Sequence, residues 1–479
     1  MHTTPMTGAF AVEDGQTWYR IDGYDQQPPF FMTLAGDSDL WAFISSAGSL
    51  TAGRRDAEQA FFPYETVDKI HLRGEHTGPR TWVRLLDDSG GATLWQPFAQ
   101  QLDGPSPARS VWKNLSGTRI RLRELHPSGR LAFEHEWSGA AGLGLVRSAR
   151  LWAPGLDTDT GTDPVRVQVL DGLLNLLPPG VGLKRSALLS SLADAYKWNE
   201  SAAAGRLGLY TLVAQIWDRA EPKESFEALS VWTAGLPPGL ASRTLLSAQQ
   251  VPAFCRSGRV QAETLTRGQR GAFLLNFDAP VGPQGLAWQM VVDGPCSQVQ
   301  AFELARHLGQ GGGSSAQIAL ALQANDAGLD ELLARADGLQ TSGDPMAAAH
   351  HRANVLFNSM RGGVFADGTR LARDDLLAFV RQRNGAVGLA LAELAAGWPD
   401  TLERADALKA AQRLGPQAER LVLEYLPLTF SRRHGDPSRP WNAFSIRVRD
   451  AAGRRIVDYQ GNWRDIFQNW EALLPSEPA

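Results

Sequence analysis

The stretch Arg119-Ile-Arg-Leu-Arg-Glu124, followed by Leu131-Ala-Phe-Glu-His-Glu-Trp137, decides how the first part of this chain folds. In 119–124, Ile and Leu are set against Arg and Glu at period two. That pattern describes a β-strand with an apolar face and a wet, charged face, typical of antiparallel sheets. Similar apolar runs recur at Leu40–Ile44, Thr81–Leu86, Val165–Leu170, Leu209–Trp217, Ser225–Trp232 and Gly271–Phe277, separated by Gly, Pro, Asp, Asn and Ser. So many strands between residues 8 and about 300, with few helices among them, predict two large packed sheets. Residues 186–196 have helical propensity. They read better as a strand leading through Asn199–Gly205 to an antiparallel partner at 207–217.

Downstream the period changes. Gln298–Leu308 reads as a helix, Gly309-Gln-Gly-Gly-Gly-Ser-Ser315 as a flexible break, and Leu329, Leu332, Leu333, Ala336 and Leu339 recur at helical spacing. Asp344-Pro345 is a helix start with proline just inside it. Amphipathic helices are expected over 346–360, 374–396, 401–413 and 416–426. The domain reading is a sandwich over 1–297, a helical linker over 298–343 and α/α-type helices over 344–479. The fold class is therefore multidomain β plus α, a large antiparallel super-β-sandwich, a helical linker and an incomplete (α/α) barrel.

Bulk properties exclude several functions. The 479 residues hold 47 Lys plus Arg against 51 Asp plus Glu, a net charge of −4, so no basic stripe for nucleic acid is present. Two cysteines, Cys255 and Cys296, form no disulfide framework and no zinc pattern, and reduced thiols are expected. The N-terminus has no signal-peptide pattern, and no apolar run of roughly 18 residues occurs. The expected location is the cytoplasm, without membrane contact. His350-His351 cannot chelate one ion from adjacent helical positions. No phosphate loop, nucleophile elbow or zinc-protease motif occurs, and no metal or cofactor is expected.

The chemistry concentrates in Thr429-Phe-Ser-Arg-Arg-His-Gly-Asp-Pro-Ser-Arg-Pro-Trp-Asn442 and Tyr459-Gln-Gly-Asn-Trp-Arg-Asp-Ile-Phe-Gln-Asn-Trp-Glu471. Indoles stack on sugar C–H faces, and Arg, Asp and amide side chains form the paired hydrogen bonds that vicinal hydroxyls need. The substrate-binding candidates are Arg432, Arg433, His434, Asp436, Arg439, Trp441, Asn442, Asn462, Trp463, Arg464, Asp465 and Gln468. Trp470 is a further stacking candidate. Arg432-Arg433-His434-Gly-Asp436 reads equally as an anion clamp and as a solvated basic loop; His434 alone reads better as structural than as a base. Phe444–Arg449 and Arg455–Tyr459 flank Asp450-Ala-Ala-Gly453 as a small hairpin, which would let the two stretches fold back on each other. The charged pairs Arg54-Arg55 and Asp68-Lys69 read as turn charges in the sandwich.

Ser45-Ser-Ala-Gly-Ser-Leu-Thr-Ala-Gly-Arg-Arg-Asp56 and Phe62-Pro-Tyr-Glu-Thr-Val-Asp-Lys-Ile-His71, with the order and sizes of the domains, resemble the inverting disaccharide phosphorylases, the cellobiose-phosphorylase-like group. The stretches 426–442 and 459–471 resemble those of very large bacterial proteins related to these enzymes. The resemblance implies a galactose-mutarotase-like sandwich, a six-hairpin (α/α)6 barrel and an oligosaccharide substrate, with inorganic phosphate a possible co-substrate. It also implies that Asp465 accepts from two hydroxyls of a bound sugar while Arg464 orients it. In that group the general acid, the phosphate site and a C-terminal β-domain lie further along the barrel. No catalytic residue is therefore assigned. The chain is expected to be an N-terminal half, inactive alone, completed by a separately encoded C-terminal half or joined by a homodimer partner. The alternative is a non-catalytic carbohydrate-binding or scaffolding module.

Overall fold

The computed structural model describes residues 6–65, 67–72, 74–87, 89–99, 107–154, 164–183, 188–216, 220–432, 445–450, 452–460 and 466–476. Its contacts divide these into a first unit up to Leu329 and a second from Asp330 onward.

In the first unit the stretch 119–124 is a strand, Arg119–Leu125, inside an eleven-stranded sheet. From one edge its order is Thr7–Glu13, Gln16–Asp22, Ala108–Asn114, Arg119–Leu125, Ala132–Ala140, Gly144–Trp152, Leu286–Ser297, Glu227–Ala234, Leu207–Leu212, Lys197–Ala202 and Leu265–Arg267. A five-stranded sheet runs Ser242–Leu245, Gly271–Val281, Val165–Leu176, Gly78–Leu86 and Ala92–Trp95. The pairings within both sheets are antiparallel. Ile120, Leu122, Phe133 and Trp137 of the larger sheet share one buried cluster with Val83, Val167, Val169, Phe273 and Phe277 of the smaller one. This is a β-sandwich, as the alternation requires. A third sheet, Phe31–Thr33, Leu40–Ser45 and Leu50–Arg54, adds Leu40, Ala42, Ile44 and Leu50 to the same core.

Both outer faces carry helix as well. Gln298–Gly309 and Ser315–Ala334 place Leu308, Ile318 and Leu322 against Val146, Trp232 and Val291 of the larger sheet. A capping box starts the first helix: Ser297 Oγ accepts from Gln300 N, and Ser297 N donates to Gln300 Oε1 at 2.8 Å. Val251–Ser257, a helix absent from the sequence reading, packs Phe254 on Trp82, Leu170, Leu174 and Leu274 of the smaller sheet. Covering on both faces explains why Val169–Leu174 is buried at every position.

Three expectations for the first unit are corrected. Glu124 does not share the charged face. It has the parity of Ile120 and Leu122, and it is fully buried. It accepts from Trp95 Nε1 at 2.9 Å, Phe98 N at 2.6 Å and Arg109 Nε at 2.8 Å. The opposite face is also less wet than the alternation implies. Arg121 and Arg123 stand across from Glu136 and Glu134, pair with them at 2.9 and 2.7 Å, and stack near Trp18 and Trp112. The segment expected as a strand over 186–196 contains a 3-10 helix, Ser190–Tyr196, and the strand starts at Lys197. The hairpin partner is Leu207–Leu212, joined by a turn in which Ala203, Ala204 and Gly205 all have positive φ.

In the second unit, Asp344 caps Pro345–Gly362 through a 2.9 Å bond from Met346 N, with Pro345 at the first helical position. Leu332, Leu333 and Ala336 are buried, as is Leu329 at the end of the first unit, whereas Leu339 is exposed. The single helix expected over 374–396 is two, Arg373–Arg383 and Gly385–Leu394. Asn384 separates them: its φ of −148° breaks the helix, and its side chain accepts from Val387 N at 3.1 Å. Arg404–Leu414 and Pro416–Glu424 complete a four-helix cluster. It buries Leu376, Val380, Leu391, Ala407, Ala411, Leu421 and Val422 around one core. Residues 401–403, expected as helix, instead pair with Arg370–Ala372.

Candidate functional site

Of the sequence-assigned site residues, Arg433, His434, Asp436, Arg439, Trp441, Asn442, Asn462, Trp463, Arg464 and Asp465 lie outside the described residues. Arg432 and Gln468 are described, together with the backbone from which both stretches depart. That backbone is built on the C-terminal end of the helix Pro345–Gly362.

Gly363 ends this helix with a φ of +80°, and a Cβ there would meet Thr429 O at 2.9 Å. The missing side chain lets Val364–Phe365 pair with Leu428–Thr429. Phe430 follows with a φ of +68°, strained backbone for an aromatic residue, at the entry to the first stretch. Ser431 is fully buried. Its Oγ donates to Arg361 O at 3.1 Å and accepts from Gln460 N at 3.1 Å. Asp458 N donates to Leu428 O at 2.9 Å, and Thr429 Oγ1 donates to Ile456 O at 2.7 Å. The two stretches are therefore tied together at their roots. The hairpin between them turns at Asp450, which accepts from Ala452 N and Arg454 N, and at Gly453 with a φ of +78°. Those bonds and the ion pair to Arg454 hold the exposed Asp450 carboxyl below its ordinary pKa.

Arg432 is buried, at 4 % exposure. Its N donates to Met360 O at 2.9 Å, its Nη2 to Met360 Sδ at 2.8 Å, and its guanidinium stands 5.0 Å from the centre of the Phe430 ring. Gln468 is exposed on Ile466–Trp470. The adjacent Asn469, which sequence reasoning did not single out, is 1 % exposed. Among the described residues neither of its amide atoms has a hydrogen-bond partner, nor does the buried Ser359 Oγ. An unpaired buried carboxamide costs about 1–3 kcal/mol, which makes Asn469 a candidate for ligand contact. Gly362 allows this approach, since a Cβ there would meet Asn469 O at 2.5 Å. No local signal separates Asn469 from Gln468. Only the contact with Gly362 does.

Trp470 is structural here: its Nε1 donates to Gly362 O at 3.1 Å and its ring lies 5.8 Å from that of Tyr459. His351 bonds Asp337 O at 2.7 Å. In the first unit, Trp18, Trp41, Trp82, Trp95, Trp112, Trp137, Trp232 and Trp288 are core residues. Arg54 bridges Asp39 and Asp293, and Arg55 pairs with Asp39, which accounts for that basic pair without a ligand. Cys255 and Cys296 are free thiols. No helix of the described residues is long and apolar enough to cross a membrane.

Neither a family model nor a curated protein matches the chain. Among solved structures, a bacterial glucoamylase complexed with acarbose is similar, with a TM-score of 0.39 and 11 % identity. The likeness covers 81 % of this chain and 57 % of that one, so this chain spans less than two thirds of that structure.

Proposed function

We propose that the chain is a carbohydrate-active protein whose oligosaccharide contacts come from the stretches 429–442 and 459–471. The observation that carries this reading is the hydrogen bond from Gln460 N to Ser431 Oγ, which roots both stretches at one place beside the unpaired Asn469. Sugar hydroxyls both donate and accept, so a buried carboxamide that offers both functions suits them. In this reading Arg464 and Asp465 hold vicinal hydroxyls, Arg432 fixes the floor of the site, and Trp441 or Trp463 stacks on a sugar face. The chain alone is expected to be inactive, and the chemistry it would share in is inverting glycosyl transfer to water or phosphate through an oxocarbenium-like transition state, with the general acid unassigned. The resemblance of the two stretches to large bacterial proteins related to the disaccharide phosphorylases supports that class.

The test is titration of the purified chain with neutral di- and trisaccharides by calorimetry, with product analysis in the presence and absence of phosphate. Asp465→Ala and Asn469→Leu are expected to weaken binding about tenfold or more each. Binding that survives both substitutions, or none to any neutral oligosaccharide, overturns the reading.

A further inference from the structure

The first unit contains a cavity of about 470 Å³. Asp25, Glu75, His76, Arg80, Phe98 and Arg109 are among its walls. Two guanidinium groups among the described residues of its walls differ in how they are used. Arg109 is occupied: Nε donates to the buried Glu124 at 2.8 Å, Nη2 donates to Ala99 O at 2.6 Å, and Asp25 lies 3.6 Å away. Arg80, on the strand Gly78–Leu86, is only 11 % exposed, and its guanidinium makes no hydrogen bond among the described residues. Its ion-pair partner is Glu75 at 3.5 Å, a side chain 69 % exposed and therefore well screened by water. Burial lowers the Arg80 pKa, and Glu75 only partly offsets this. A guanidinium carries five N–H donors in a fork that matches two oxygens of one oxyanion. Inside a cavity, such a fork with a single long contact leaves N–H donors to offer to a ligand oxyanion.

We propose that this cavity binds a monosaccharide-sized molecule carrying one oxyanion, with the anion on Arg80, a hydroxyl on Asp25, and the ring against Phe98. A carboxylate and a phosphate both fit the fork, so a sugar acid and a sugar phosphate share this chemistry. The volume exceeds what a bare phosphate fills and lies in the range of small-ligand pockets, so a sugar ring is accommodated. On binding, the ligand anion displaces Glu75 from Arg80, so that Glu75 competes with the ligand.

The experiment is calorimetric titration of the full chain with glucuronate, glucose 6-phosphate, inorganic phosphate and glucose. One or both of the anionic sugars should bind, and glucose should bind at least tenfold more weakly. Which anionic sugar binds more tightly identifies the source. Arg80→Gln should reduce the affinity about tenfold or more, whereas Glu75→Gln, at an exposed position that leaves the fold intact, should raise it. Asn469→Leu should leave it unchanged, which separates this site from the one at 429–471. Equal binding of glucose, no binding of any anionic sugar, or weaker binding in Glu75→Gln overturns the proposal.

Discussion

Arg147 and Asp171 form a two-pronged ion pair across the sandwich, Nη1 to Oδ2 and Nη2 to Oδ1 both at 2.7 Å, with both side chains fully buried. Arg147 comes from the larger sheet and Asp171 from the smaller. Thr81 Oγ1 and Trp288 Nε1 donate to the same carboxylate at 2.6 and 2.7 Å. Removing one partner strands a charge in an apolar interior. Asp171→Leu or Arg147→Met alone should cost about 3–5 kcal/mol in denaturant unfolding, while the double variant should recover much of that loss. Equal losses for the single and double variants would show that the pair does not act as a unit.

Asn469 should separate stability from binding. A buried amide without partners destabilises the fold, so Asn469→Leu, which preserves the shape, should leave the melting temperature unchanged or raise it. Oligosaccharide affinity should fall in the same variant. Gln468→Ala, on an exposed neighbour, should change neither by more than about 0.5 kcal/mol. A lower melting temperature for Asn469→Leu would assign the residue to packing alone.

Cys296 should be slow toward thiol reagents. Burial, and then the nearby Asp293 carboxylate, push its thiol up to about 11. Only the thiolate reacts, so near pH 8 its labelling should lag far behind a free thiol and rise about tenfold per pH unit toward 11. Rapid labelling of Cys296 near neutral pH would contradict the burial.

Lys113 should give a pH-dependent stability. Burial lowers its ammonium to about 8, while an unfolded lysine titrates at about 10.4. Between these values the unfolded chain holds the proton and the folded chain releases it. Stability therefore rises with pH across that window, and below 8 the full penalty persists. Lys113→Met should raise the urea midpoint at neutral pH and flatten the dependence between about pH 8 and 10.4. An unchanged slope in that variant would rule the assignment out.

Period-two alternation made the sandwich legible, and capping residues such as Asp344 marked where the helices begin. The errors arose where tertiary contacts override local pattern. Glu124 reads as surface by its chemistry, yet Trp95, Phe98 and Arg109 supply every bond that its burial requires. Residues 190–196 have apolar content suited to a strand, but they wind as a 3-10 turn before the hairpin. Asn384 breaks one expected helix into two because its side chain satisfies a backbone amide that the helix would leave open. At the candidate site the roots were legible as two polar stretches about a hairpin. The buried Asn469 was not, since its environment comes from Gly362, more than a hundred residues earlier.

The bond from Gln460 to Ser431 makes a single amide proton into a gauge of the whole site. That proton is shielded only while both stretches stand together on the end of their shared helix. Its rate of deuterium uptake therefore counts how often the two sides part, and a sugar that bridges them should slow the count.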